Sequence, residues 1–301
     1  MTHMTAFLKA TIAVTAWGAS FIATKIALKE VSPATVVWIR FAMGVVVLGA
    51  FNVHRRQFAL VSRRELGYFV LLGLIGVTFH QWLQSNGLVT AQATTSAWIV
   101  ASTPIFMALL GWLFLKEALN GETIAGIALA AFGVLLVVSK GDLSAVLHGS
   151  FGTRGDFLIV ISAPNWAVFS VLSRWGLRRH PAARMMFYVL TIGWLLLTVL
   201  FIAESGYDEI DQLTGEGWLA LAFLGFVCSG VAYIFWYDAL QALPTAQVGT
   251  FLYLEPLVAV VVAAIVLREP LVAAAMVGGM AILAGVWIVN RVKLKKQKFA
   301  A

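Results

Sequence analysis

The chain has 301 residues, 61% hydrophobic and 12% charged, with a mean hydropathy of +0.90. A soluble domain carries about 45–50% apolar and about 25% charged residues, so a water-soluble fold would expose much of this apolar surface and aggregate. The net charge of +7 comes from basic residues clustered between apolar runs. That pattern suits membrane orientation rather than nucleic acid, and the lone Cys228 excludes a disulfide framework.

A helix needs about 20 apolar residues to span a bilayer. Ten such segments follow in order: 6–28, 33–53, 66–88, 92–115, 121–139, 155–175, 183–203, 216–239, 244–267 and 271–291. The connections are short, the longest being about 140–154 and 204–215. The expectation is an all-α polytopic membrane protein with ten transmembrane helices.

Polar groups inside membrane helices are costly, so their positions are informative. The first segment carries Trp17, Ser20 and Thr24, and ends near Lys25, which can snorkel to water as Arg174 can. The second holds Arg40 about two turns in, where it can pair with an acid or attract a carboxylate. The third places His80 and Gln84 four apart, on one face. The fourth offers Thr94, Trp98, Ser102 and Pro104; the sixth, Asn165, Trp166 and Ser170; the eighth, Ser229, Tyr233, Trp236 and Tyr237. In the ninth, Glu255 lies roughly eleven residues from either end, or about 16 Å deep at 1.5 Å per residue.

These faces can enclose a cavity lined by aromatic rings and a few hydrogen-bonding groups. It would suit a zwitterion with an apolar side chain or a flat aromatic cation. The candidate substrate-binding residues are Trp17, His80, Gln84, Trp98, Asn165, Trp166, Tyr233, Tyr237 and Glu255. Each also has a packing explanation: His80 and Gln84 as satisfied interhelical groups, Glu255 as a brace for the adjacent helix bend. Pro104 and Pro256 lie mid-helix in their segments and are candidate hinges, or static bends. Trp38, Trp112, Trp218 and Trp287 lie near helix ends, as interfacial anchors do. Glu117 and Glu269 lie between helices, where each can cap the next helix.

The segment Leu88–Gly133 reappears as Leu240–Gly285, shifted by 152 residues without a gap. Pro104 falls on Pro256, Glu117 on Glu269, Gly126 on Gly278 and Gly133 on Gly285. Trp17 with Lys25 is echoed by Trp166 with Arg174 at the same spacing. Five crossings per copy turn the second copy upside down, a common way to build a transporter. The expected organisation is a first repeat over 1–139, a periplasmic linker over 140–154, a second repeat over 155–292 and a basic cytoplasmic tail over 293–301. With the N-terminus in the cytoplasm, fifteen Lys and Arg fall inside and four outside, among them Lys29, Lys140, Arg154 and Arg268. Both termini are then cytoplasmic.

Trp17-Gly18-Ala19-Ser20-Phe21 with Lys25, Arg40-Phe41, and the paired Pro104/Glu117 and Pro256/Glu269 spacings together resemble the drug/metabolite transporter superfamily, EamA type. Repeat and helix count carry the resemblance over nearly the whole chain. It implies a ten-helix exporter of metabolites, most similar to bacterial inner-membrane exporters of aromatic or other amino acids. The second half departs from the pattern, since Pro164-Asn165 precedes Trp166 and no glycine follows it.

The expected activity is export of amino acids and related metabolites by alternating access, with multidrug efflux of aromatic cations as the alternative. No cofactor is expected, and no enzyme: no metal-ligand spacing, nucleophile triad or phosphate loop is present. A channel or scaffold is a remoter reading. Facilitated diffusion and one-proton exchange both fit. Oligomeric state is not legible. Residues that the repeat leaves unexplained point to substrate: His80 opposite Ala232, Gln84 opposite Trp236, Trp98 opposite Thr250 and Glu255 opposite Thr103.

Overall fold

The structure is a computed structural model that describes residues 3–115, 121–149, 151–243, 248 and 251–299, with side chains for all of these except 111, 115, 240, 241 and 290–299. Eight helices are long and apolar enough to cross a membrane: α1 (His3–Ala27), α2 (Pro33–His54), α3 (Arg63–Thr90), α4 (Ala93–Phe114), α5 (Gly121–Ser139), α6 (Arg154–Leu177), α7 (Ala182–Ala203) and α8 (Gly215–Ala239). Two shorter apolar helices follow, α9 (Phe251–Leu267) and α10 (Ala273–Val289). Among the described residues there is no strand.

Local chemistry sets the helix starts. Ser32 caps α2, with Pro33 in the first helical position, where its missing N–H costs nothing. Ser62 with Glu65 and Thr153 with Asp156 form reciprocal capping boxes at the starts of α3 and α6. Thr214 caps α8 and in turn donates to Glu30, which draws the α1–α2 loop onto the start of α8.

Close helix contacts repeat across the two halves. Gly126 of α5 meets Gly285 of α10, and Gly133 meets Gly278. Because Gly126 corresponds to Gly278 and Gly133 to Gly285, the same two positions face each other reciprocally, the mark of a two-fold relation. Gly44 of α2 lies against Ser229 of α8, and Gly193 of α7 lies against Val77 of α3. These are again matched pairs, offset by 149 residues on α2/α7 and by 152 on α3/α8. Small residues permit such approach where no hydrophobic effect drives helices together. Large apolar side chains such as Val46, Leu195 and Ile265 remain exposed on the outside, as lipid contact requires.

Three helices change winding. Leu74–Phe79 in α3, Phe223–Val231 in α8 and Ala263–Leu267 in α9 are π-helical. The first maps onto Phe226–Val231 within the second under the 152-residue offset. Such segments free backbone carbonyls and recur at functional sites.

The prolines sit differently from the mid-helix positions expected. α4 is divided into Ala93–Val100 and Thr103–Leu115, so Pro104 opens the second piece. α9 passes from a 3-10 turn at Phe251–Tyr253 into the α-helix Leu254–Val262, with Pro256 in its first turn. Both prolines therefore stand where the missing N–H is tolerated, just after a break in the winding. Glu117 lies outside the described residues.

Candidate substrate site

Two groups of predicted residues gather in the bundle interior. The first lies where α1, α8 and α9 meet. The Trp17 indole N–H donates to the Cys228 carbonyl at 3.0 Å, an oxygen within the π-helical segment of α8. Its ring lies 5.5 Å from that of Tyr233 and 5.3 Å from that of Trp236. Tyr237 continues the row, 6.3 Å from Tyr233. Gly18, next to Trp17, lies against the Glu255 backbone carbonyl, so α1 positions this part of α9. The half-buried Glu255 carboxylate has no hydrogen bond or ion pair among the described residues. Tyr233 is in electrostatic reach of it.

The second group lies between α3 and α6. His80 is buried, with its ring 4.7 Å from that of Trp166, which lies 4.8 Å from Phe169. The His80 ring approaches the Ser162 backbone, while its Nδ1 has no hydrogen-bond partner. The Asn165 amide donates to the Ile75 carbonyl at 2.9 Å, in the π-helical segment of α3. Gln84, one turn beyond His80, is half-buried and makes no hydrogen bond among the described residues.

Arg40 joins the two groups. Its Nε–H donates to Ser229 Oγ at 2.8 Å and its Nη1 to Gln81 Oε1 at 3.3 Å, which links α2, α8 and α3. It is in electrostatic reach of both Tyr233 and His80. Of the two roles open to it, pairing with an acid or attracting a carboxylate, the first is not seen among the described residues, where its partners are two neutral acceptors. Sequence reasoning passed over Gln81; its only signal was its place beside His80 on a polar stretch of α3.

Trp98 stands apart from both groups. It is fully buried in the packing of α4, and its ring lies on Gly279 of α10 with Nε1 unpaired. The gap it fills is the one that the absent side chain at Gly279 leaves. Trp38 also differs from its expected role as an interfacial anchor. It donates to Thr198 Oγ1 at 3.0 Å and stacks on Phe201 at 4.2 Å.

The ends of the bundle are tied by polar contacts. At one end Lys25 donates to the Ala91 carbonyl at 2.6 Å, at the junction between α3 and α4. Glu269 accepts from the backbone N–H groups of Ala93 and Thr94 at 2.8 and 3.0 Å. It therefore caps α4 across the bundle, not α10, the helix that follows it. At the other end Lys9 of α1 pairs with Asp238 of α8.

Comparison with known proteins agrees with this architecture. The EamA-like transporter family model matches twice, over residues 4–139 and 153–291. An uncharacterized transporter of Archaeoglobus fulgidus is 31% identical over 272 residues, covering 90% of this chain and 92% of that protein. A protein of Streptantibioticus cattleyicolor described as a probable terminal-alkyne amino-acid exporter is 26% identical, over 96% of this chain and 95% of its own length. A crystal structure superposes with a TM-score of 0.65 at 20% identity, over 97% of this chain and 98% of that one, a likeness of fold. The chain is a membrane protein of the EamA-like transporter family.

Proposed function

We propose that this protein is a secondary exporter of amino acids, with aromatic ones among its substrates, working by alternating access in a bacterial inner membrane. The observation that carries this reading is the Glu255 carboxylate, unpaired among the described residues, on the stretch of α9 that packs against Gly18 next to Trp17, whose ring opens an aromatic row with Tyr233 and Tyr237. A substrate ammonium group supplies the missing partner, and the rings receive an apolar side chain. His80, Gln84, Asn165 and Trp166 form the opposite wall. The description of the Streptantibioticus relative supports the substrate class.

The halves 1–139 and 155–292, joined by the linker 140–154, are the moving units, and the helix breaks beside Pro104 and Pro256 are the hinges. The reciprocal glycine contacts of α5 and α10 favour this division. The excess of Lys and Arg on one side favours cytoplasmic termini and a cytoplasmic tail over 293–301. Proteoliposomes loaded with radiolabelled amino acids test the reading. Saturable efflux with counterflow is expected, run with and without a pH gradient to read coupling. Absence of saturable flux for every amino acid would overturn it.

A further inference from the structure

Arg40 presents a charge that the fold does not answer. Only 7% of it is exposed, and its contacts are neutral: Ser229 Oγ, Gln81 Oε1 and the Phe41 ring at 5.3 Å. A guanidinium stays charged in proteins and offers five N–H donors in a planar fork. Two of these are used, and no carboxylate pairs with the group among the described residues. A cation held inside a membrane bundle without an anion is expensive and marks function.

The packing holds the group in place. Gly44, one turn along α2, brings that helix against Ser229, and Gly225 of α8 lies against the Arg40 backbone carbonyl. The fold does not need the charge, because the matching position on α7 is Val189. Glu255 poses the opposite problem on α9, an anion with no cation paired to it among the described residues. Gly18 lies against the Glu255 backbone carbonyl, and its neighbour Trp17 donates to Cys228, the residue before Ser229, which accepts from Arg40; the two charged groups form no ion pair with each other. Two opposite charges on helices joined through Trp17 and Cys228, each without a counter-ion among the described residues, match a ligand that carries both signs.

We propose that Arg40 binds the carboxylate of a zwitterionic substrate whose ammonium group is held at Glu255. This rests on the amino-acid exporter reading and sharpens it: Arg40 sets specificity for the carboxylate. The planar fork suits bidentate carboxylate binding, with the donors to Ser229 and Gln81 fixing its orientation. A substrate amine without a carboxylate leaves the guanidinium facing no anion.

The test uses the full chain in proteoliposomes, with radiolabelled phenylalanine counterflow competed by phenylalanine, phenethylamine or phenylpropionate. Phenylalanine should compete on the order of 100-fold better than phenethylamine, which lacks the carboxylate. Arg40→Gln should raise the phenylalanine KM by a similar factor and leave phenethylamine inhibition within about threefold, and Arg40→Lys should restore part of the loss. Equal competition by phenethylamine in the wild type, or an equal effect of Arg40→Gln on both compounds, would overturn the assignment. The wild-type comparison decides alone if Arg40→Gln does not fold. Absence of any amino-acid exchange would instead sink the exporter reading itself.

Discussion

Gly126 of α5 packs against Gly285 of α10 so closely that a Cβ on Gly126 would fall 2.8 Å from the Gly285 carbonyl oxygen. Backbone cannot yield as a flexible side-chain end can. Gly126→Leu should therefore destabilise the protein by at least about 1–3 kcal/mol, the usual range for overpacking. Gly67→Ala is the control, because nothing lies within 4 Å of a Cβ there. It should stabilise by about 0.5–1 kcal/mol through helix propensity. Thermal unfolding in detergent, followed by size-exclusion, reads both.

Trp98 is predicted to matter for stability rather than for substrate. Trp98→Ala should cost about 3–5 kcal/mol, the range for truncating a large buried aromatic residue. The KM for amino acids in the surviving protein should stay within about twofold. A large KM change with unchanged unfolding temperature would return Trp98 to the substrate site.

Glu269 caps α4 from the far side of the bundle. Loss of such a cap costs about 0.5–2 kcal/mol. In Glu269→Ala, hydrogen exchange should speed up at Ala93 and Thr94 and stay unchanged at the start of α10. Faster exchange at residues 273–276 alone would show that the carboxylate serves its own neighbour instead.

Glu30 lies in the loop between α1 and α2, where hydrogen bonds from the Thr214 side chain, and then its backbone N–H, hold its carboxyl below the ordinary value of 4.5. A depressed folded-state pKa contributes stability above the unfolded value and loses it as pH falls through the folded one. Glu30→Gln should therefore lower the unfolding temperature slightly at pH 7, and the difference should fade as pH drops below about 4.5. A difference that grows on acidification would contradict the assignment.

Much of this architecture is legible in the sequence because bilayer physics leaves few choices. Helix ends agree within a few residues, apart from the start of the ninth segment, part of which lies outside the described residues. The repeat offset anticipates the glycine pairs. The π-helical segments have no residue signature of their own; they appear where helices from both halves compete for close approach. By position Glu269 reads as a cap for the helix that follows it, whereas its partners are 176 and 175 residues away. Arg40 stands out as a charge within a span, but its neutral partners Ser229 and Gln81 are set by tertiary packing that no spacing encodes. Hydropathy also marks Trp98 as apolar and mid-span without saying whether its ring meets a ligand or a glycine.

The hydrogen bond from Trp17 to the Cys228 carbonyl has a counterpart, Asn165 to Ile75. In each, the first helix of one half serves the third helix of the other. Each half therefore supplies a hydrogen-bond donor that the other half's interior uses. Trp17 and Cys228 are 211 residues apart, and at about 5–20 residues per second the ribosome needs roughly 10–40 s to deliver the second after the first. For that time the early helices wait in the bilayer with an indole N–H and an open seam, as clients for whatever quality control guards nascent membrane chains.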